Sequence, residues 1–284
     1  MKSDKNASNG AMRFLYGNPF GRLMLKGMLK LQAPKVMAAF LRSPLSVGMI
    51  DRYVKKYQIS LKGYPKQKYR SFAEFFERRK KVNANDSNPS HFVSPCDGQL
   101  SAYPISLDAS FAIKGSLYRV CDLVTDPQLE ALYRGGTCLI FRLAPNDYHH
   151  YCFMDDGYLH EHHFIEGELH SVQAIACENY PVYRLNRRLW NRFDSQNFGT
   201  LLQIEVGALA VGGIVNEKEE EYVRKGETMG HFTLCGSTIV VLVEKDRIEL
   251  LPEIRKVLET GVEYPVKQGM YIGDRAGIAV RTID

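Results

Sequence analysis

Three short segments of the chain carry residue types suited to nucleophilic chemistry: Gly236-Ser237-Thr238, Asp97-Gly98 and Asp147-Tyr148-His149-His150. The first sits in the run Gly230–Val243, where two apolar stretches rich in β-branched residues meet at a Gly-Ser bond. Such a run reads as buried strand. No side chain shields the Gly236 carbonyl, so Ser237 Oγ can attack it once a base takes the hydroxyl proton, turning the amide into an ester. Elimination across the serine then breaks the chain and leaves a pyruvoyl group on a new N-terminus. Such a ketone condenses with an amine and accepts the electrons of a departing carboxylate. Taken alone, the Gly-Ser pair reads more simply as a small-residue kink in a core strand. A base and an acid to orient it have to come from elsewhere.

Five of the eight histidines fall between residues 149 and 163. His149 and His150 open a strand-like segment in which neighbours face opposite ways, which points one of the two inward. His160, His162 and His163 follow the turn at Asp155-Asp156-Gly157 and lack the i, i+4 spacing of a helical zinc site. They read as an exposed loop, and no metal is expected. The acid candidate is Asp97 in Ser94-Pro95-Cys96-Asp97-Gly98, which by itself is an ordinary Asp-Gly turn before a strand.

The elements that must position these groups divide the 284 residues in two. Residues 1–12 are small and polar and read as disordered. Phe20 to Arg42 is helical in pattern and split by Pro34. Between Lys5 and Ile50 there is no acidic residue but seven basic ones, Lys5, Arg13, Arg22, Lys26, Lys30, Lys35 and Arg42. Basic, amphipathic and rich in Met, Leu and Phe is the composition of a helix lying on an anionic bilayer. More helix is expected from Asp51 to Arg79, with Ser71 and Glu74 as a capping box. Residues 82–91 read as a loop. Beyond them short strands dominate, at 92–93, 99–103, 137–142, 151–153, 201–206, 238–243 and 278–281. Val223–Gly230 is echoed 43 residues later by Val266–Gly273, each a valine, a basic residue, a glycine turn and a closing glycine. That echo suggests quasi-twofold hairpins of the kind found in biotinyl and lipoyl carriers. The expected class is therefore α+β, with an N-terminal helical, membrane-contacting region (1–80) and a β-rich core (81–284) of barrel-sandwich-like repeated hairpins.

The totals narrow the function classes. A net charge of +5 suits an acidic partner surface. Six cysteines without a CxxC pair argue against a zinc ribbon or disulfide scaffold. The N-terminus lacks a secretory pattern, and no apolar stretch is long enough to span a bilayer.

Taken in order, the three segments resemble the phosphatidylserine decarboxylase family. The family's Ser-Pro-x-Asp-Gly turn stands here as residues 94–98, its Leu-x-Pro-x-Asp-Tyr-His segment as Leu143–His149, and its Gly-Ser-Thr cleavage site as Gly236–Thr238. The stretch Lys225–Phe232, the Phe72–Phe76 stretch, Lys114-Gly115, Gly167–Leu169, Asn186 with Arg188, and Val206–Ala208 also fit, so the likeness runs from about residue 69 to 275. It implies self-cleavage between Gly236 and Ser237 into a β chain (1–236) and an α chain (237–284) that stay together, with a dimer of that pair left open. It implies a covalent pyruvoyl cofactor made from Ser237, with Asp97 as the charge-relay acid. Phosphatidylserine would form a Schiff base with the pyruvoyl group, lose CO2 and leave as phosphatidylethanolamine, at the cytoplasmic face of the cell membrane. No nucleic-acid partner is implied. Many members carry a second histidine three residues after the first; here that position is Cys152, as in clostridial-type members. The base therefore stays open among His149, His150 and Cys152, in that order of preference, because a cysteine needs a depressed pKa to serve. Rival readings are a non-cleaving serine hydrolase, disfavoured by the lack of a G-x-S-x-G elbow, and a non-catalytic carrier or lipid-binding module, which has no lysine at a methionine-flanked hairpin tip.

Overall fold

The computed structural model describes residues 10–30, 33–81, 86–113, 116–172, 174–208, 213–234 and 237–277. The chain begins with helices α1 (Gly10–Gly17), α2 (Pro19–Lys30) and α3 (Ala33–Arg42), a 3-10 turn (Pro44–Met49), α4 (Ile50–Tyr57) and α5 (Phe72–Phe76). Next come β1 (His91–Val93), β2 (Gly98–Pro104), β3 (Ser110–Ile113), β4 (Ser116–Arg119), α6 (Val120–Val124), α7 (Pro127–Leu132) and β5 (Thr137–Leu143). The middle holds β6 (His150–Cys152), β7 (Gly157–Ile165), α8 (Ala174–Asn179), α9 (Val182–Leu185), β8 (Arg188–Ser195) and β9 (Gly199–Val206). Last are β10 (Gly213–Asn216), β11 (Glu221–Val223), β12 (Thr228–Thr233), β13 (Ser237–Val243), β14 (Ile248–Leu250), α10 (Pro252–Glu259), β15 (Tyr264–Val266) and β16 (Tyr271–Arg275).

The central sheet runs β11-β7-β8-β9-β13-β5-β2-β15, and its pairings are antiparallel. Every residue of β13 is buried. Val240 and Leu242 pack on one side with Tyr16 of α1, Leu123 of α6 and Tyr183 of α9. Ile239, Val241 and Val243 pack on the other with Phe92, Tyr151, Phe232 and Ile272 from two small sheets, β1-β16-β14 and β10-β12-β6. Cover on both faces explains why β13 is a continuous apolar run rather than an alternating one.

The sheet is quasi-twofold about its centre. Val223 of β11 faces Gly157 of β7, and Val266 of β15 faces Gly98 of β2. Ser195 faces Gly199 between β8 and β9, as Leu143 faces Ser237 between β5 and β13. The small sheets match too: His150 with His231 and Cys152 with Thr228 on one side, His91 with Asp274 and Val93 with Tyr271 on the other. The 43-residue echo is the visible part of this symmetry. Gly226 and Gly269 both adopt positive φ, 78° and 76°, at the third position of a turn closed by Glu227 N–H to Arg224 O (3.0 Å) and Met270 N–H to Lys267 O (2.9 Å). Only a residue free of Cβ strain suits that position of a type II turn. A barrel-sandwich is nevertheless a loose description, because β11 and β15 end the sheet at opposite edges and leave it open.

Other expectations need adjusting. Residues 10–12 belong to α1, while 1–9 lie outside the described residues, as do Lys114-Gly115 and the strand expected at 278–281. His160, His162 and His163 are in strand β7, which pairs with β8. Their polarity reports an exposed face, whereas the backbone is committed to the sheet. Between Asp51 and Arg79 helix is confined to α4 and α5, since Gln58 closes α4 in the left-handed region. At α5, Ser71 Oγ accepts Glu74 N–H at 3.2 Å, while the Glu74 carboxylate accepts the N–H of Arg70. The N-terminal helices dock on the core through Tyr16, fully buried, whose hydroxyl accepts Ser171 N–H at 2.8 Å. No helix among the described residues is long and apolar enough to cross a membrane.

Candidate active site

Arg142 of β5 pairs with Gln99 of β2 on one side and Thr238 of β13 on the other. Three neighbouring strands therefore bring Asp97, the turn after Leu143 and Ser237 to one end of the sheet. Gly98 permits this crowding, because a Cβ there would lie 2.9 Å from the backbone oxygen of Arg142. After β5 the chain turns on Asp147, whose N–H donates to Ala144 O at 3.0 Å and whose carboxylate accepts Ala144 N–H at 2.8 Å. That turn delivers His149 and His150.

Ser237 is the first residue of β13, and Cys235 and Gly236 lie outside the described residues. The side chain of Ser237 shares a face with Ile239 and Val241. It is 1% exposed, and its Oγ has no hydrogen-bond partner among the described atoms. A buried hydroxyl without a partner forfeits solvation.

Both histidines are buried rather than one. His149 packs against Phe76, ring centroids 4.2 Å apart, and its Nδ1 lies 3.0 Å from Asp147 O. A carbonyl only accepts, so Nδ1 carries the proton and Nε2 a lone pair. That Nε2 is buried and without a partner among the described residues. Burial depresses the His149 pKa to about 3, with Arg78 adding to the effect and Asp97 opposing it. The ring is thus a neutral imidazole with a free acceptor at neutral pH. His150 is the other tautomer, Nε2–H donating to Glu77 O at 3.0 Å, and burial lowers its pKa to about 4.

Asp97 is buried and accepts Gln268 N–H at 3.0 Å. Its other oxygen meets Lys267 Nζ at 3.0 Å, and Lys80 Nζ is 3.6 Å away while lying over the Tyr148 ring. The hydrogen bonds of Asp97 go to these groups, and those of His149 go to Asp147 O, so the influence of Asp97 on the imidazole is through space. Cys152 is fully buried, and burial pushes its thiol up to about 12. It is a thiol at neutral pH, unfit to accept a proton.

Lys80, Asp147, Lys267 and Gln268 complete the site. Lys267 and Gln268 lie in the repeated hairpin, and Asp147 in the motif before His149, but nothing in residue spacing joins them across more than a hundred positions. The one grouping with metal-ligand atoms close together among the described residues is His150, Glu217 and His231, within 4.8 Å. Its imidazoles are stacked with planes 22° apart, and Glu217 is engaged by Arg79. In-plane lone pairs on stacked rings do not converge on one ion, so the trio reads as a cross-strand aromatic pair with an ion pair at its rim.

Comparison with known proteins identifies the family. The chain is 38% identical over 274 residues to phosphatidylserine decarboxylase proenzyme 2 of Clostridium acetobutylicum, covering 95% of this chain and 94% of that one. It is 35% identical over 282 residues to the phosphatidylserine decarboxylase proenzyme of Clostridium novyi (96% and 95% covered). It is 33% identical over 280 residues to that of Desulfitobacterium hafniense (96% and 94% covered). The family model described as phosphatidylserine decarboxylase matches residues 70–273, from just before the N-cap of α5 to the middle of β16 and so across every residue of the site. The chain belongs to the phosphatidylserine decarboxylase family.

Proposed function

We infer that the chain is a self-processing proenzyme that decarboxylates phosphatidylserine to phosphatidylethanolamine. What supports this reading is a buried hydroxyl on Ser237 without a partner among the described residues, at the sheet end where the turn after Leu143 delivers His149, a neutral imidazole whose Nε2 likewise has no described partner. In maturation, His149 Nε2 takes the Ser237 proton and Oγ bonds to the Gly236 carbonyl carbon. The C–N bond breaks, the proton passes to the departing nitrogen, and an ester joins residues 1–236 to Ser237. Loss of the Ser237 Cα proton expels the ester carboxylate, and water then releases ammonia to leave a pyruvoyl group at residue 237. Asp97, flanked by Lys267 and Lys80, stabilises the charge that builds on His149 through space.

Ser237 fits as the source of that group, because its side chain is buried and makes no competing hydrogen bond among the described residues. The pyruvoyl group supplies a carbonyl that takes the substrate amine and accepts the electrons released by the departing carboxylate. His149 returns a proton to the substrate carbon, and Phe76 keeps water from the imidazole.

The N-terminal helices meet the lipid surface in this reading. Phe20, Val36 and Leu45 are 69%, 71% and 82% exposed, and Leu23 and Met37 are exposed beside them. Arg22, Lys26, Lys35 and Arg42 share these helices, and no acidic residue does. Apolar side chains at the surface with cations around them match an anionic bilayer at the cytoplasmic face.

Intact mass tests the core of the proposal. Freshly purified protein is expected as two fragments meeting at 236/237, the smaller lighter than its free-amine sequence by one ammonia, and Ser237→Ala as a single full-length chain. A wild-type protein that stays intact while folded, or that cleaves and releases no CO2 from phosphatidylserine, overturns it.

A further inference from the structure

The residue just before Cys235-Gly236-Ser237 holds a backbone conformation that its side chain opposes. Leu234 has φ 52°, and among the described residues it is the one large apolar side chain at positive φ. The other non-glycine cases are Gln58 and Thr125, which end α4 and α6, and the small or polar Ala109 and Asp246. The left-handed region crowds the Cβ of an L residue against the backbone, whereas glycine adopts it freely. The 43-residue repeat carries Leu234 onto Gly277, whose φ is 83°. Gly277 is exposed, and a Cβ built on it meets nothing within 4 Å, while Leu234 is fully buried. One half of the fold therefore makes this bend with glycine, and the half that holds Ser237 makes it with leucine. A side chain kept at a strained position needs a reason for being there.

Its surroundings supply one. Leu234 shares a core cluster with Leu41 of α3, Ile50 of α4 and Phe72, Phe75 and Phe76 of α5, and every other buried member of that cluster lies between residues 41 and 76. The same helical segment holds the candidate base. Phe76 packs on His149 with ring centroids 4.2 Å apart, Glu77 O accepts His150 Nε2–H, and the Tyr53 hydroxyl donates to Pro145 O at 2.9 Å in the turn that delivers both histidines. On the other side, Ser237 is fixed in β13 opposite Leu143. Only Cys235 and Gly236 separate a side chain anchored in the helical cluster from a hydroxyl anchored in the sheet. Attack of Ser237 Oγ on the carbonyl before it closes a small ring, a geometry that is reached efficiently only when both flanks are held.

We propose that Leu234 is a positioning residue for self-cleavage, its side chain pinning the acyl side of the Gly236–Ser237 bond to the helical wall against which His149 rests. The proposal rests on the self-processing reading above. Leucine has no chemistry of its own to offer, so it acts through the backbone that joins it to Gly236. Its role ends with maturation, because once the chain is cut nothing covalent joins Leu234 to residue 237.

The experiment follows the fraction of uncut full-chain protein against time under folding conditions, with urea midpoints measured for each variant on a Ser237→Ala background. Leu234→Gly, which copies the other half of the fold, and Leu234→Ala are each expected to slow cleavage by about 10- to 100-fold, the scale of a small misplacement at a reacting centre. Leu234→Met keeps the volume and is expected to cleave within about threefold of wild type. Ile59→Ala removes another buried side chain of the cluster, one with no short covalent tie to the cut; it is expected to lower the unfolding midpoint yet leave cleavage within about threefold. Leu234 variants that have matured fully are expected to decarboxylate with kcat within about threefold of wild type. Wild-type cleavage in Leu234→Gly overturns the proposal. Equal slowing by Ile59→Ala also does so, by making the effect one of general packing. A mature kcat that falls in step with the cleavage rate does the same, by assigning Leu234 to the support of Phe76 and His149. Should Leu234→Ala fail to fold, Leu234→Gly, unstrained at that φ, decides the question. A folded wild-type chain that never cleaves would instead count against the self-processing reading itself.

Discussion

At Asp97 and at Asp156 the chain makes the same turn. Asp97 accepts the N–H of Gln268, second residue of a type II turn, at 3.0 Å; Asp156 accepts the N–H of Lys225, second residue of the matching turn, at 2.7 Å. Gly98 and Gly157 follow, each pressed against a carbonyl of the neighbouring strand. Around Asp156 the polar groups are consumed: Ser195 Oγ donates to Asp155, and Asn197 gives Asp155 both its backbone and its side-chain N–H groups. Around Asp97 the buried Ser237 Oγ, Thr238 Oγ1, His149 Nε2 and Gln268 Oε1 are left over. The position of Ser237 is taken in the other half by Gly199, that of His149 by Ser90, and that of Cys152 by Val93. An aspartate on this turn is therefore a scaffold feature, common to both halves. In the proposed mechanism, what sets one half apart is the set of polar atoms that the fold buries there without partners among the described residues.

Removing the free imidazole breaks this asymmetry most severely. His149→Gln keeps an N–H for Asp147 O but offers a far weaker base. Self-cleavage is expected to slow by roughly 10²–10⁴-fold, the usual worth of a general base, measured as the fraction of full-length chain against time. Because His149 titrates near 3, the wild-type cleavage rate is expected to show no inflection around pH 6.5. An inflection there that vanishes in the variant would place the imidazole in water and defeat the argument.

Glu205 sharpens the comparison through stability. It is buried on the Ser237 face of the sheet, bonded by Asn191 and Gln203 at 2.7 Å each, where symmetry puts Val243 in the other half. Burial raises its pKa to about 8. The folded state therefore binds a proton that the unfolded chain releases near its ordinary carboxylate pKa. This contribution to stability is complete below about pH 4.5 and is lost as pH rises to about 8, with a total of roughly 3–6 kcal/mol. Glu205→Gln is expected to flatten that slope in urea unfolding followed from pH 5 to 8.5. A slope equal to wild type would mean that Glu205 reaches water or an unseen cation.

The paired aspartates come next. Asp97→Asn leaves an oxygen for Gln268 N–H and removes the charge near His149; cleavage is expected to slow by about 10²-fold, less than for His149 because the effect is through space. Asp156→Asn is expected to change the cleavage rate by under about threefold and to cost about 1 kcal/mol in stability. Equal effects from the two would reduce Asp97 to a turn anchor like its counterpart.

Much of this was legible in residue order. The strand of Ser237, the turn of Asp97 and the 43-residue echo are local patterns, and each is found where its pattern placed it. The 59-residue repeat that relates Asp97 to Asp156 was not legible, because the two stretches share only a histidine, Asp-Gly and a leucine in eleven positions and the likeness lies in backbone hydrogen bonds. The tautomer of His149 depends on a carbonyl two residues away, and the lysines at Asp97 come from opposite ends of the chain. The histidines of β7 were misread as a loop because side-chain polarity tracks exposure, whereas strand pairing tracks backbone partners.

Cys152 gives the smallest expected effect and the cleanest assignment of the base. Its counterpart by symmetry is Val93, equally buried at the matching register. Burial pushes its thiol up to about 12, the backbone N–H of Gly269 opposing it, and its Sγ makes a long contact, 4.0 Å, with Ser94 O. A group in that state packs as a small apolar side chain. Cys152→Val, which copies the silent half into the reactive one, is expected to change stability by under about 1.5 kcal/mol, as for a near-isosteric core exchange. It is also expected to leave self-cleavage within a few-fold of wild type, because in the proposed mechanism the proton leaves Ser237 for His149. Cleavage that stops in a variant whose unfolding midpoint is unchanged would transfer the role of base to the cysteine. The two halves of the sheet would then differ by a thiol rather than by an imidazole.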